Sequence, residues 1–201
     1  MKNLNCKVLF LFVGIFLFLT SVTTFAKSEV IGEISDQNKG DDYEIQLEYL
    51  FGKAFSSRNV NNYNVHIFKK SKDNGVFSVS YGGTFTRAVG ATNPRQEGIW
   101  KDSNGVGIGP AALLRWRKKV SGKFYAAWDF SGSFMFYNKA HPAEGRAYGF
   151  LWRTGPRLIW KCSEDSSVSL GYSVSHFSNA MKTHNPGYNT LGFSLGFNFK
   201  F

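Results

Sequence analysis

Residues 190–201 read TLGFSLGFNFKF, and an apolar side chain occupies every second position of this stretch. The apolar series is Leu191, Phe193, Leu195, Phe197, Phe199 and Phe201. Small or polar residues stand between its members. Because successive side chains of a β-strand point to opposite faces, the stretch predicts a strand with one apolar face and one polar face.

The same period of two runs through most of the chain from residue 41. Seven earlier segments repeat it: 43–51, 63–68, 77–85, 106–117, 124–136, 148–160 and 168–175. Their apolar faces are dense in Phe, Tyr and Trp, and their other faces carry much glycine and serine. Eight such segments predict an all-β fold, an eight-stranded antiparallel transmembrane β-barrel. A soluble β protein is the alternative, but its polar face would carry less glycine. The final Phe201 resembles the terminal aromatic residue of outer-membrane proteins.

The first residues are predicted to be a secretion signal. Lys2 and Lys7 precede an apolar run from Val8 to Thr20, and residues 24–26 (TFA) place small residues at positions −3 and −1 of a cleavage site. An uncleaved anchor helix is the alternative, but the run is short of the ~20 residues that such a helix needs. The predicted organisation is a signal peptide (1–26), a flexible leader (27–40) and an outer-membrane β-barrel domain (41–201).

The mature chain is predicted to be basic and to keep one cysteine. Removing Lys2 and Lys7 from the 24 Lys and Arg residues leaves 22 against 14 Asp and Glu, a formal charge of +8. Export argues against nucleic acid as a partner and favours anionic lipid head groups or lipopolysaccharide phosphates. Cys162 stays alone once Cys6 leaves with the signal, so no intrachain disulfide is expected.

Both termini are predicted to be periplasmic, so that odd-numbered strands run outward and even-numbered strands return. The periplasmic turns are then expected near 71–75, 119–122 and 161–166, and the outer loops near 56–62, 88–105, 138–145 and 180–188. Short inner turns and longer outer loops are typical of such barrels.

Charged side chains fall on the face that is predicted to line the lumen. They are Glu44, Glu48, His66, Arg115, Arg117, Asp129, Arg153 and Arg157. Side chains fill an eight-stranded barrel, so this set predicts an ion-paired interior in preference to an ion path. Pro110 and Pro156 each remove a donor from the strand ladder, and β-bulges are expected there.

The seventh segment places polar residues on its lipid-facing side. Its outward series continues from Val174 to His176 and Ser178, and parity in the last strand puts Asn189 on the same side. Polar groups that face lipid are costly and usually functional. Residues two apart on a strand share a face, so the imidazole and the hydroxyl can meet as base and nucleophile of a serine esterase. An interfacial polar fringe with no catalytic role is the alternative reading of the same pattern.

Two short runs resemble the signature of the outer-membrane lipid A 3-O-deacylase family (PagL-type). They are residues 175–180 (SHFSNA) and 185–189 (NPGYN), which match a pattern H-x-S-N-A, a short loop and an N-x-G-x turn. Residues 106–117 and 146–158 are similar to the family's glycine-rich middle strands with less specificity. The likeness covers about residues 43–201, and it implies an eight-stranded barrel whose active site faces the membrane.

The resemblance also implies roles for individual residues. Ser178 would be the nucleophile and His176 its general base, while Asn179 and Asn185 match asparagines that shape the site and its oxyanion hole. The sequence departs from the family at the third catalytic position, where Asn189 stands in place of a glutamate. An asparagine can still orient the imidazole by accepting its N–H.

The function that these observations predict is that of a lipid A 3-O-deacylase. It would be a serine esterase without a cofactor, in the outer membrane of a Gram-negative cell, acting on lipopolysaccharide with its active site toward the outer leaflet. No metal-ligand spacing is present among the four histidines. The rival is a non-catalytic small barrel, structural or adhesin-like, with a degenerate site. The sequence leaves the oligomeric state open.

Overall fold

The alternation of apolar and polar residues is realised as eight long antiparallel strands of 10 to 18 residues. They are β1 (Asp42–Phe51), β2 (Arg58–Asp73), β3 (Phe77–Thr92), β5 (Gly105–Ser121), β6 (Phe124–His141), β7 (Arg146–Lys161), β8 (Ser166–Ser178) and β9 (Tyr188–Lys200), while β4 (Lys101–Asp102) is a two-residue strand in the connection after β3. The computed structural model describes residues 40–52, 58–93, 98–179 and 186–201. The predicted signal peptide and nearly all of the leader lie outside these ranges.

The long strands close into a barrel. Their order around the wall is β2-β1-β9-β8-β7-β6-β5-β3, and β3 pairs with β2 to complete the circle. The first strand lies against the last, with Asp42 opposite Lys200. The predicted eight-stranded antiparallel barrel is therefore confirmed. Within the described ranges, no helix is long and apolar enough to cross a membrane.

Both chain ends lie at one end of the barrel, which we call the terminal end; the opposite end is the loop end. Strands at the terminal end are joined by residues 74–76, 122–123 and 162–165. Connections at the loop end span residues 52–57, 93–104, 142–145 and 179–187. The predicted division into short turns at one end and longer loops at the other is confirmed.

The expectation of bulges at Pro110 and Pro156 is wrong. Pro110 stays in register with Gly83, and Pro156 stays in register with Trp128. On the other side of each proline the ladder is interrupted without a shift. Both side chains face outward and are exposed, so the missing N–H costs local pairing but requires no extra residue.

The two faces of the wall follow the predicted parity. Large apolar side chains point outward, and many remain 40–65 % exposed, including Leu47, Ile67, Ile108, Trp128, Leu170 and Phe193. The inward positions of the same strands hold mainly buried glycine, serine, threonine and charged residues, together with two apolar clusters, one that contains Phe177 and Tyr188 and one that contains Phe68 and Leu113. An apolar exterior around a polar interior is the reverse of a soluble protein and is typical of a membrane barrel.

Ion pairs fill the lumen toward the terminal end. The Arg115 guanidinium donates to both carboxylate oxygens of Glu44 at 2.7 and 2.9 Å and to both of Asp129 at 2.7 and 2.9 Å. Arg157 donates to Asp129 at 2.7 Å and to the Ser194 hydroxyl at 2.6 Å. These pairs join β1, β5, β6, β7 and β9 across the interior.

A second group of ion pairs lies farther along the lumen. Arg153 donates to Glu48 at 2.8 Å, and the His66 ring contacts the same carboxylate at 3.2 Å. Arg117 differs from the other predicted lumen residues, because it pairs with Asp73 at the terminal mouth, where both side chains are partly exposed. The predicted ion-paired interior is found, and Arg117 lies at its edge.

Candidate functional site

His176 and Ser178 lie on the outward face at the loop end of β8. The inward series of that strand contains Ser173, Ser175 and Phe177, which are buried. His176 and Ser178 belong to the alternate, outward series and are half-buried. His176 is the direct cross-strand partner of Asn189 on β9. The structure therefore brings together the three residues that the sequence predicts for the catalytic set.

The contact between His176 and Asn189 fixes the state of the imidazole. The distance from His176 Nδ1 to Asn189 Oδ1 is 2.6 Å. An amide oxygen can only accept a hydrogen bond, so Nδ1 carries the proton and Nε2 is left as an acceptor. This is the tautomer in which a histidine serves as general base to a hydroxyl.

Ser178 is the last residue of β8 and follows His176 on the same face. Two residues along a strand separate their Cα atoms by roughly 6.6 Å. Within the described ranges no hydrogen bond joins the Ser178 hydroxyl to the His176 ring. Bonds of this kind are often long in a free enzyme and shorten when substrate is bound.

Apolar side chains surround His176, Ser178 and Asn189, which we call the polar trio, on the outward surface. Trp152 on β7 lies opposite His176, with 5.7 Å between the ring centroids, and Phe150 lies opposite Ser178. Val174 and Leu191 form the next cross-strand pair toward the terminal end. These four side chains make the outward surface beside the Ser178 hydroxyl apolar.

Two glycines pack closely against the backbone at the end of β8, next to Ser178. A Cβ on Gly149 would lie 2.7 Å from the Ser178 carbonyl oxygen, and a Cβ on Gly187 would lie 2.5 Å from the Phe177 carbonyl oxygen. No larger residue fits at either position without moving main chain. The close approach holds the end of β8 between β7 and the loop that leads to β9.

Asn179, the residue after Ser178, is hydrogen-bonded to the backbone of β6 and β7. Its side chain is 2 % exposed, and its amide nitrogen donates to the carbonyl oxygens of Tyr148 at 2.9 Å and His141 at 3.2 Å. These bonds hold the β6–β7 connection against the end of β8. Asn185, the other asparagine predicted to shape the site, lies outside the described residues.

A chain of neutral hydrogen bonds lies directly behind the trio, inside the barrel. His141 Nδ1 donates to the Ser103 carbonyl oxygen at 2.9 Å, so its Nε2 accepts from the Tyr188 hydroxyl at 2.8 Å. The Asn62 amide donates to that hydroxyl at 3.0 Å. His141 and Asn62 are fully buried, and Tyr188 is 2 % exposed. This hydrogen-bond chain fixes Tyr188, the residue before Asn189.

Aromatic packing reinforces the same region. Phe177, between His176 and Ser178, points inward and stacks on Tyr188 with 5.4 Å between ring centroids. Its ring also meets His141 at 5.0 Å and Tyr137 at 5.4 Å. The backbone segments on both sides of the His176–Asn189 contact are thus anchored in the interior.

Sequence reasoning missed the role of His141 and Tyr188. A signal existed, because Phe177 and Tyr188 are large aromatic residues in inward series that otherwise hold glycine, serine, threonine and one asparagine. An inward aromatic at a loop end predicts that the strand end is packed from inside.

Ion pairs at the loop end hold the connection after β3. Lys139 donates to Asp102 at 2.9 Å, and Lys101 pairs with Glu144. The hydrogen bond from Lys139 holds the pKa of the Asp102 carboxyl below its usual value. No group of three or more His, Cys, Asp or Glu side chains is placed to hold a metal ion within the part of the chain that the structure describes.

Comparison with known proteins agrees with this architecture. Residues 60–198 match a family model described as lipid A 3-O-deacylase (PagL). Among solved structures, Neisserial surface protein A (NspA) is similar with a TM-score of 0.50 and 9% sequence identity, over 80% of this chain and 96% of that chain. The outer membrane enzyme PagL is similar with a TM-score of 0.48 and 12% identity, over 80% of this chain and 99% of that chain. No curated protein matches the sequence. The likeness to NspA supports the fold of an outer-membrane β-barrel.

Proposed function

Because the chain belongs to the lipid A 3-O-deacylase (PagL) family, we propose that it is a serine esterase that removes the ester-linked 3-hydroxyacyl chain at position 3 of lipid A. The substrate is the lipid A part of lipopolysaccharide, and the reaction needs no cofactor. Ser178, His176 and Asn189 are the catalytic residues of this proposal. Asn179 and Asn185 are its site-shaping residues.

The reaction follows the order of acyl transfer. Ser178 Oγ attacks the ester carbonyl carbon while His176 Nε2 takes the hydroxyl proton. The tetrahedral intermediate breaks its bond to the sugar oxygen, which receives the proton from His176 and leaves as a hydroxyl. Water then attacks the acyl-enzyme with His176 as base, which releases the 3-hydroxy fatty acid and restores Ser178.

The observation that carries the proposal is the 2.6 Å contact from His176 Nδ1 to Asn189 Oδ1. It holds the imidazole in the tautomer that a general base requires, on the same face as Ser178. The apolar surface of Phe150 and Trp152 beside it suits an acyl chain that arrives from the bilayer.

The orientation in the membrane is part of the proposal. With the terminal end in the periplasm, the loop end lies at the cell surface, and the site is level with the outer leaflet. Lipopolysaccharide lies in that leaflet, so the ester of the substrate would reach Ser178 without leaving the membrane.

The rival function is that of a non-catalytic barrel. It is favoured by Asn189, which lacks the charge that would stabilise a protonated imidazole. The two functions differ in one readout, the mass of lipid A in cells that make the protein.

The proposal is tested by expression in a Gram-negative host that keeps the 3-O acyl chain, followed by mass spectrometry of lipid A. Wild-type protein is expected to remove the mass of one 3-hydroxyacyl chain, and Ser178→Ala and His176→Ala are expected to remove none. Ser175→Ala is the matched control, since Ser175 is on the same strand but faces the lumen. Unchanged lipid A with a folded, heat-modifiable wild-type barrel would support the rival. Activity retained by either catalytic variant would refute the assigned roles.

A further inference from the structure

A second polar feature faces outward on the other side of the barrel, on β3. Arg87 lies toward the loop end of that strand, and its exposed side chain belongs to the outward series that includes Phe85 and Val89. Within the described ranges, no hydrogen bond or ion pair engages its guanidinium. The lumen residues Arg115 and Arg153, in contrast, bind carboxylates. An unpaired guanidinium on a lipid-facing surface is costly unless an anion meets it.

Two tyrosines continue a row from Arg87 across the neighbouring strands. Tyr63 on β2 is the direct partner of Arg87, and Tyr49 on β1 is the direct partner of Tyr63. The tyrosine rings are 5.1 Å apart between centroids and 43–49 % exposed. Cross-strand neighbours of this kind have Cβ atoms about 5 Å apart. The row therefore presents one guanidinium and two phenol hydroxyls, all of which can donate to phosphate oxygens.

An open groove of about 880 Å³ on the outward surface contains this row. Its apolar lining includes Leu47, Val65, Phe85 and Leu195. On their strands these side chains lie two residues nearer the terminal end than Tyr49, Tyr63, Arg87 and Phe193, respectively. The donors thus lie toward the loop end together with Val89 and Phe193, while the side of the groove toward the bilayer centre is lined by the apolar side chains Leu47, Val65, Phe85 and Leu195. A lipid of the leaflet at the loop end has this polarity, with its head group outside and its acyl chains inside.

We propose that Arg87, Tyr63 and Tyr49 bind a phosphate group of a lipid A molecule whose acyl chain lies in this groove. Four strand spacings separate β3 from β8 in either direction around the wall, roughly 19 Å, so the molecule lies on the opposite side of the barrel from the one that reaches Ser178. The proposal depends on the proposed orientation of the barrel and not on the proposed catalysis.

The test measures binding in a Ser178→Ala background, in which the bound lipid stays intact. Detergent-purified barrel is titrated with bis-phosphorylated lipid A and with its dephosphorylated form, and the complexes are counted by native mass spectrometry. Arg87→Gln is expected to weaken binding of the phosphorylated form about 10- to 100-fold and to leave the dephosphorylated form unchanged. Arg117→Gln makes the same charge change at the terminal end and is expected to have no effect.

Tyr63→Phe provides an independent variant, because it keeps the ring packing and removes one donor. It is expected to weaken binding of phosphorylated lipid A about 3- to 10-fold. Equal binding by the parent, Arg87→Gln and Tyr63→Phe would overturn the site. Binding of phosphatidylglycerol with the same affinity and the same dependence on Arg87 would overturn its assignment to lipid A. Because no outcome involves ester cleavage, failure here is separate from failure of the deacylase proposal.

Discussion

The interior of the barrel is built in two different ways along its axis. Toward the terminal end, full charges face each other, as Arg115 does with Glu44 and Asp129. At the loop end, behind the candidate site, the contacts are neutral and directional, as in the hydrogen bond from Tyr188 to His141. The ion pairs hold distant strands together across the lumen, while the neutral contacts hold the ends of β8 and β9.

This difference indicates that the ion pairs matter mainly for the stability of the barrel, while the neutral contacts matter mainly for the position of the strand ends that carry the site. Removing one partner of a buried ion pair is strongly destabilising, because the other charge then stays buried without a counter-charge. Neutral hydrogen bonds are individually weaker, but their geometry fixes where a backbone segment lies. The residues packed directly behind His176 and Ser178, among them Phe177, Tyr188 and His141, are aromatic and joined by neutral hydrogen bonds.

The largest expected effect is on the charged region. Asp129→Ala removes a carboxylate that accepts from Arg115 and Arg157 and leaves both guanidinium groups buried with fewer partners. The free energy of unfolding is expected to fall by about 3–5 kcal/mol, measured by urea unfolding in lipid vesicles. Asp73→Ala, which breaks a partly exposed pair with Arg117, is the matched control and is expected to cost less than about 1 kcal/mol. Equal losses would contradict the distinction between buried and exposed pairs.

A smaller effect on stability, joined to an effect on rate, is expected in the neutral region. Tyr188→Phe removes the hydroxyl that joins His141 to Asn62 and leaves two buried polar atoms unpaired. Stability is expected to fall by about 1–3 kcal/mol. Because Asn189 is the next residue, kcat for deacylation is expected to fall while KM stays constant.

Tyr172→Phe is the control for this change, since Tyr172 is an exposed tyrosine on the outward face of β8. It is expected to leave both stability and kcat unchanged. A stability loss in Tyr188→Phe with no change in kcat would mean that the neutral network supports the fold alone.

The smallest expected effect concerns the charge missing from the site. Asn189→Glu, assayed at mildly alkaline pH where the new carboxylate is ionised, is expected to stabilise the protonated imidazole. A charge-assisted hydrogen bond exceeds a neutral one by about 1–2 kcal/mol, which corresponds to a rise in kcat of roughly 5- to 30-fold. Asn189→Ala is expected to lower kcat without unfolding the barrel, because the side chain faces outward. A rate unaffected by Asn189→Ala would exclude this residue from the catalytic set.

The fold was predictable because it follows from a single pattern, the alternation of apolar and polar residues with a period of two. In a two-sided wall every residue is either inward or outward, so parity placed His176, Ser178 and Asn189 on one surface and Arg115 and Asp129 on the other. The partners of the lumen charges were not predictable, since pairing Arg115 with Glu44 depends on how the closed wall brings β5 opposite β1. The contact between His141 and Tyr188 was missed for the same reason, because two loop-end segments far apart in sequence meet only in the closed barrel.

The two strand prolines did not produce the β-bulges that were expected, and the reason is local. A missing N–H implies an interrupted ladder, but the interruption at Pro110 and Pro156 is absorbed without an extra residue. Alternation could therefore continue past both positions, and the parity of β5 and β7 was kept.

The proposed site depends on whether an uncharged Ser-His-Asn set on the outward face of β8 and β9 makes Ser178 a nucleophile. The most direct measurement is labelling of the folded barrel with a long-chain alkyl fluorophosphonate, followed by peptide mass spectrometry. The probe's mass is expected on the peptide that contains Ser178, and Asn189→Ala is expected to slow the labelling and His176→Ala to abolish it. An unlabelled Ser178 in the folded wild-type barrel, or labelling that persists in His176→Ala, would contradict the proposed site.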